Sequence, residues 1–315
     1  MSSVIDVLLL LALPASGKSE VRRYLEHLDP DRARSEMHLG PTVQLDDYPY
    51  VHLMRRISQE LSLLGTDPIF FSDDLSPWND PRDWLTLIHL VNEDYLALGT
   101  GTPADPSPAA LLERIDRARH TAGAPALLGP LTTGVRNRLE AALAADTAEL
   151  ATSLPRNRPP DSTVVIEFAR GGPDGADLPL PHPLGYAASL AALDPSIIER
   201  SSILYVWVEP AESRRRNRDR ARPGPEGDAS ILHHGVPEAV MLQDYGTDDM
   251  AWLRSQARRD GTIPVGDHDL PCAWFDNRRD HTSFLRSDPA EWSDPDVDRL
   301  HSDLTTALNS LVGGM

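Results

Sequence analysis

"VIDVLLLLALPASGKSE", residues 4–20, decides how the chain is to be read. An apolar run followed by small residues resembles a secretory h-region with its cleavage site. The same run followed by a glycine turn is also what a buried strand entering a helix looks like. No lysine or arginine precedes the run and Asp6 interrupts its start, so the basic n-region of a signal peptide is missing. Residues 4–11 therefore read as a central parallel strand. After the turn, Val21, Tyr24, Leu25 and Leu28 recur at helical spacing as far as Pro30.

Composition sets the outer bounds. At 315 residues the chain suits one large α/β domain, or a core domain with a sizeable insertion. The formal net charge of −18 argues against general nucleic-acid binding and against an anionic membrane surface. No apolar run reaches the length of a spanning helix. A single cysteine, Cys272, permits neither an internal disulfide nor a cysteine metal site, which fits a cytoplasmic protein. Of the 30 basic residues only one, Lys18, is lysine. Where composition has replaced lysine with arginine almost everywhere, the remaining lysine marks chemistry that suits a compact ammonium better than a planar guanidinium.

Further strands are expected at "PTVQL" ending on Asp46 and Asp47, and at residues 162–169, 201–209 and 271–275. Between them, residues 48–160 carry helical patterns over 50–65, 80–99, 107–123 and 132–154, separated by proline-rich breaks. The expected organisation is a core of residues 1–47 and 161–315, with 48–160 as a helical insertion forming an acceptor-side subdomain. A last helix is expected to start at Ser293 or Asp294, bury Val297, Leu300, Leu304, Leu308 and Leu311, and end at Gly313.

Residues Ala12 to Ser19 match the GxxxxGKS/T spacing with alanine in the first place. Gly17 lets the backbone curl so that, after Pro14, the amides of about Ala15, Ser16, Gly17, Lys18 and Ser19 face one concavity, to which the following helix adds its positive end. Lys18 then reaches the β- and γ-phosphates, and the Ser19 hydroxyl is a ligand for Mg²⁺. On these residues the chain resembles a P-loop kinase of the nucleoside and nucleotide kinase group. "ALPASGKS" keeps the proline, the serine and the GKS ending of that family's loop, while Ala15 replaces a frequent glycine.

The resemblance implies a three-layer P-loop NTPase fold, ATP as phosphoryl donor, Mg²⁺, and a small-molecule acceptor. "VQLDDYPY" resembles the DDFY-like turn of uridine kinases, which implies that Asp46 or Asp47 activates the acceptor hydroxyl while the other supports Mg²⁺. Glu167, closing "TVVIE", is expected to hold Mg²⁺ in the manner of a Walker B carboxylate. Arg170 resembles an arginine that contacts acceptor phosphate in adenylate-kinase-like enzymes. A lid-like segment is expected at about 211–250, where Arg214, Arg218 and Arg222 share one helical face and Arg216 and Arg220 a neighbouring one. Lid arginines imply charge neutralisation on the transferring phosphoryl group. Asn277 and Asp280 have the NxxD spacing of guanine-reading GTPases, which makes GTP the alternative donor. The DxxG switch motif is missing. His233 and His234 are adjacent and so point apart, which argues against a metal site with the aspartates at 244, 248 and 249. Two function classes follow: a kinase acting on a small molecule, possibly a nucleoside or nucleotide, and a nucleotide-binding or hydrolysing regulator without a small-molecule acceptor.

Overall fold

Val7–Leu11 (β1) is buried along its whole length and lies inside a six-stranded sheet. The computed structural model describes residues 4–102, 105–220 and 235–312. The other strands are Thr42–Asp46 (β2), Thr163–Phe168 (β3), Ser201–Trp207 (β4), Thr262–Val265 (β5) and His268–Asp276 (β6). Their spatial order is β2-β3-β1-β4-β6-β5. All neighbours are parallel except β5, which runs antiparallel to β6. The interior strands β1 and β3 are buried along their whole length because helices cover both faces, β1 as an unbroken apolar run and β3 as one interrupted only by Glu167 after its opening threonine. Edge strand β2 alternates between buried and half-buried residues instead.

Helices follow in chain order: Lys18–His27 (α1), Pro30–Met37 (α2), Tyr48–Leu63 (α3), Asp83–Thr100 (α4), Pro108–Thr121 (α5), Thr133–Ser153 (α6), Gly185–Ala191 (α7), Pro195–Ile198 (α8), Pro210–Arg220 (α9), Glu238–Gln243 (α10), Met250–Ser255 (α11) and Asp294–Val312 (α12). One sheet face packs Leu8, Leu10, Val165, Leu204 and Phe275 against Val21 and Tyr24 of α1, Met37 of α2 and Leu300 and Leu304 of α12. The other packs Val7, Leu9, Ile166 and Ile203 against Ile88 and Val91 of α4, Tyr186 and Leu190 of α7, Ile197 of α8 and Met250 of α11. The result is a three-layer α/β arrangement.

The segment 48–160 is helical as expected and has its own core. Leu53 and Ile57 of α3 meet Leu87 and Leu90 of α4, Leu112 and Ile115 of α5, and Leu139 and Leu143 of α6. Helix α4 serves both cores, with one side on the sheet and the other on the helices. A helix buried on opposite sides must be apolar nearly all round, and "DWLTLIHLV" is.

Two departures from the expected elements have local causes. Pro30 does end the periodicity of α1, but it also begins α2: Asp29 Oδ1 accepts hydrogen bonds from the amides of Asp31 (3.0 Å) and Arg32 (3.1 Å), with proline in the first turn. The final strand is longer than "PCAWF" because Gly266 and Asp267 turn β5 back onto β6, with Gly266 at φ 55°. The last helix buries Leu300, Leu304, Leu308 and Leu311 as expected but leaves Val297 half-buried, and the Ser293 hydroxyl accepts from the Asp296 amide at its start (3.3 Å). Gly313 lies outside the described residues. Among the described residues, no helix is long and apolar enough to cross a membrane.

Candidate functional site

The turn between β1 and α1 lies at the carboxyl end of a central parallel strand, where open α/β sheets place their crevices. Gly17 has φ 98°, and a Cβ there would lie 2.4 Å from both Asn277 Nδ2 and Thr282 Oγ1. Glycine is required twice over, for conformation and for space. Ala15 also sits in the left-handed region, at φ 55°, where an alanine carries strain.

The loop is held from behind by its carbonyls. Ser213 Oγ on α9 donates to the Pro14 carbonyl (2.7 Å), and Asn277 Nδ2 donates to that of Ser16 (2.7 Å) and to Thr282 Oγ1 (2.8 Å). Asn277 Oδ1 in turn accepts from the His281 amide (2.6 Å). With carbonyls turned outward and the helical ladder beginning at Val21, the amides of the first turn of α1 have no helical acceptor. Ser16 Oγ is buried without a partner. Such a concavity suits an anion. Asn277 has spent its amide on this brace, and Asp280 accepts from Ser283, so the NxxD spacing does not present a base-reading pair.

Strand register brings the carboxylates together. Asp46 on β2 lies directly opposite Glu167 on β3, and side-chain alternation turns both toward the α1 side of the sheet. From α1, Lys18 Nζ reaches Glu167 Oε1 (3.3 Å), while Arg22 Nη1 reaches Glu167 Oε2 (3.2 Å) and Asp46 Oδ2 (3.8 Å). Asp46 keeps 27% of its side-chain surface open. Burial of the rest, then the nearby charges of Glu167 and Asp47, hold its carboxyl well above the ordinary carboxylate range.

Asp47, one residue on, points the other way. Its Oδ2 accepts from Arg170 Nη1 (2.5 Å), and Arg170 is sealed by Ser189 Oγ (3.1 Å), the Trp84 carbonyl (3.2 Å) and the rings of Trp84 and Phe168, 4.8 and 5.1 Å from its guanidinium. Only 1% of Arg170 is exposed. It therefore braces the fold under the cleft and is not presented to a ligand, contrary to what its place after β3 suggests.

Helix α9 also divides its arginines differently from the helical-face expectation. Arg214 pairs with Asp174 (2.9 Å) and Arg218 with Glu238 (3.1 Å), and neither lines the cleft; Arg222 lies outside the described residues. Arg216 is buried, bound to Glu212 (2.7 Å) and to the Asn277 carbonyl (2.7 Å). The arginine of this helix that does line the cleft is Arg220, tethered at 3.2 Å to Glu20 beside the loop.

A cleft of about 370 Å³ joins these parts, lined by Gly17, Lys18, Ser19, Asp46, Tyr48 and Glu167 at one end and by Phe71, Trp78, Trp84, Asp244 and Tyr245 at the other. Arg22 and the aromatic wall were not legible as site residues, whereas Arg220 was among the arginines expected in the lid-like segment. The one available signal was the density of rings in "IFFSDDLSPWND", a connection between helices, where binding residues concentrate. Ser19, Asp46 and Glu167 offer the hard oxygen donors that Mg²⁺ takes. Among the described residues no three His, Cys, Asp or Glu side chains gather to hold a metal by themselves. Asp248 and Asp249 are otherwise engaged, the first by Tyr205 Oη (2.8 Å) and the second by the amides of Tyr186 (2.6 Å) and Ala187 (2.9 Å). His233 and His234 lie outside the described residues. No protein-family model matches the chain, and no curated protein or solved structure matches it.

Proposed function

We propose that the protein is an ATP- and Mg²⁺-dependent phosphotransferase of the P-loop kinase kind, moving a γ-phosphoryl group to a hydroxyl of a small molecule. The observation that carries this reading is the convergence of Lys18, Ser19, Glu167 and Asp46 in one cleft, at the ends of three adjacent strands. Loop amides from Ala15 to Ser19 and the Lys18 ammonium bind phosphate oxygens. Ser19 and Glu167 would hold Mg²⁺, which when bound would supply neutralising charge to the phosphates. The ion pairs of Glu167 with Lys18 and Arg22 keep these carboxylates compensated before a ligand arrives.

Asp46 is the better candidate for the base, because Asp47 is committed to Arg170. A carboxylate held above its usual range takes a hydroxyl proton more readily at neutral pH. In transfer, the acceptor oxygen forms its bond to the γ-phosphorus as the bond to the β-bridging oxygen breaks, and the hydroxyl proton passes to Asp46. Arg220, at the lip of the loop, is the arginine placed to offset charge on the moving group.

Lys18→Ala is the direct test. Transfer from labelled ATP across a metabolite panel should fall at least a hundredfold, with circular dichroism unchanged. Undiminished transfer would remove the assignment. ATP consumption that depends on Lys18 but is indifferent to every acceptor would favour a nucleotide-hydrolysing regulator instead.

A further inference from the structure

We infer that the acceptor is an unphosphorylated, ring-bearing alcohol, recognised by the aromatic end of the cleft, and not a nucleotide or other phosphate ester. The inference rests on the phosphotransferase reading for the word acceptor, and on the distribution of charge within the cleft for its content.

Recognition of a phosphate monoester needs guanidinium or ammonium groups with donors to spare. Among the described residues, the Lys and Arg side chains lining the cleft are Lys18, Arg22, Arg55 and Arg220. Three of them gather at the loop end, paired with Glu167, Asp46 and Glu20. Arg55 alone serves the far end, and it is already engaged. Its Nη1 donates to the carbonyls of Asp73 (3.4 Å) and Asp74 (3.1 Å), its Nη2 donates to that of Ser76 (3.2 Å), and its guanidinium lies 3.8 Å from the Phe71 ring centre. Arg170 is sealed beneath Trp84. The same end carries the Asp74 carboxylate, which disfavours a second anion.

What this end does offer is ring surface. Phe71, Trp78, Trp84 and Tyr245 form a continuous series, with ring centres 4.1, 5.4 and 5.5 Å apart in turn. Tyr48, 45% exposed, stands at the mouth beside the proposed base, its amide donating to Asp46 Oδ1 (2.8 Å). Two polar atoms in this wall, Trp84 Nε1 and Asp244 Oδ2, are buried and lack hydrogen-bond partners. Both atoms lie beneath the cleft surface, so what this wall presents to a ligand is apolar. A flat ring carrying a hydroxyl directed at Asp46 is the chemistry that fits.

The test is calorimetric titration of the full chain, with and without Mg²⁺ and a non-hydrolysable ATP analogue, using matched pairs. Adenosine, guanosine, cytidine, uridine and pyridoxine are each compared with their 5′-phosphates, and ribose and serine serve as ringless alcohols. At least one ring alcohol should bind, its phosphate ester at least tenfold more weakly with the donor end filled, and ringless alcohols more weakly still. Trp78→Leu and Trp84→Leu should each weaken the ring alcohol several-fold. Should either variant fail to fold, the matched pairs on the wild-type chain still decide. Equal or tighter binding of the esters, a preference for ringless alcohols, or no binding by any ring alcohol would overturn the inference. Calorimetry requires no transfer, so the two readings fail separately. A ring alcohol that binds and is never phosphorylated removes the kinase reading, while labelled phosphate passed to a monophosphate keeps that reading and removes this one.

Discussion

Asp46 and Asp47 leave the end of the same strand in opposite directions, and their surroundings diverge accordingly. Asp46 faces α1, partly open, among Lys18, Arg22 and Glu167. Asp47 faces inward to a guanidinium that Trp84 and Phe168 cover. The alternation of a strand thus separates a carboxylate whose charge is available from one whose charge is consumed by packing.

The largest expected effect comes from breaking the sealed pair. Arg170→Ala leaves Asp47 buried without its partner and should lower stability by about 3–5 kcal/mol, read from guanidinium denaturation. Asp46→Asn should behave in the reverse sense: stability within about 0.5 kcal/mol of wild type, with transfer reduced on the order of 10²- to 10⁴-fold. If Asp46→Asn unfolds the protein and Arg170→Ala does not, the two carboxylates have been assigned the wrong way round.

Asp244 sharpens the contrast, being buried as Asp47 is but without an ion pair of its own. Burial pushes its carboxyl up to about 7. The sign follows from the unfolded value of about 3.9: the stability linked to this proton is fully present below that value and is lost as pH rises through about 7. Asp244→Asn should flatten the fall in denaturation midpoint between those two values. Asp83 and Asp248, each raised to about 6, would still contribute the same sign in that variant. An unchanged pH profile would show that Asp244 is ionised in the folded chain throughout.

The smallest expected effect lies in the loop. Ala15→Gly relieves a left-handed alanine but loosens the unfolded chain, for a net gain of about 0.5–1 kcal/mol. Thermal denaturation would detect it, and a loss of stability would mean that the loop tolerates alanine at no cost.

The buried interior of the fold was legible because strands covered on both faces are mostly apolar, as β1 shows throughout and β3 shows up to Glu167. Less of the periphery was. "TIPV" is too short, and interrupted by a proline, to announce β5, and a proline that ends one helix looks the same as one that begins another. In the site, Lys18, Ser19, Asp46 and Glu167 were readable because each closes a strand or opens a helix. The roles of Arg170, Arg214 and Arg218 were not, since an arginine in sequence carries no mark of whether it faces a cleft, a carboxylate or a ring. Trp84, whose carbonyl and ring cover Arg170, is 86 positions away in the chain.

The braces behind the loop reach further than their hydrogen bonds imply. Ser213 grips Pro14 across 199 positions and Asn277 grips Ser16 across 261, so the curl of residues 14–17 exists only while distant parts of the chain are assembled around it. An anion held there cannot stabilise the turn alone. Its binding energy is shared by the whole sheet, and nucleotide should raise the global melting temperature in one cooperative transition, making thermal shift a direct readout of loop occupancy.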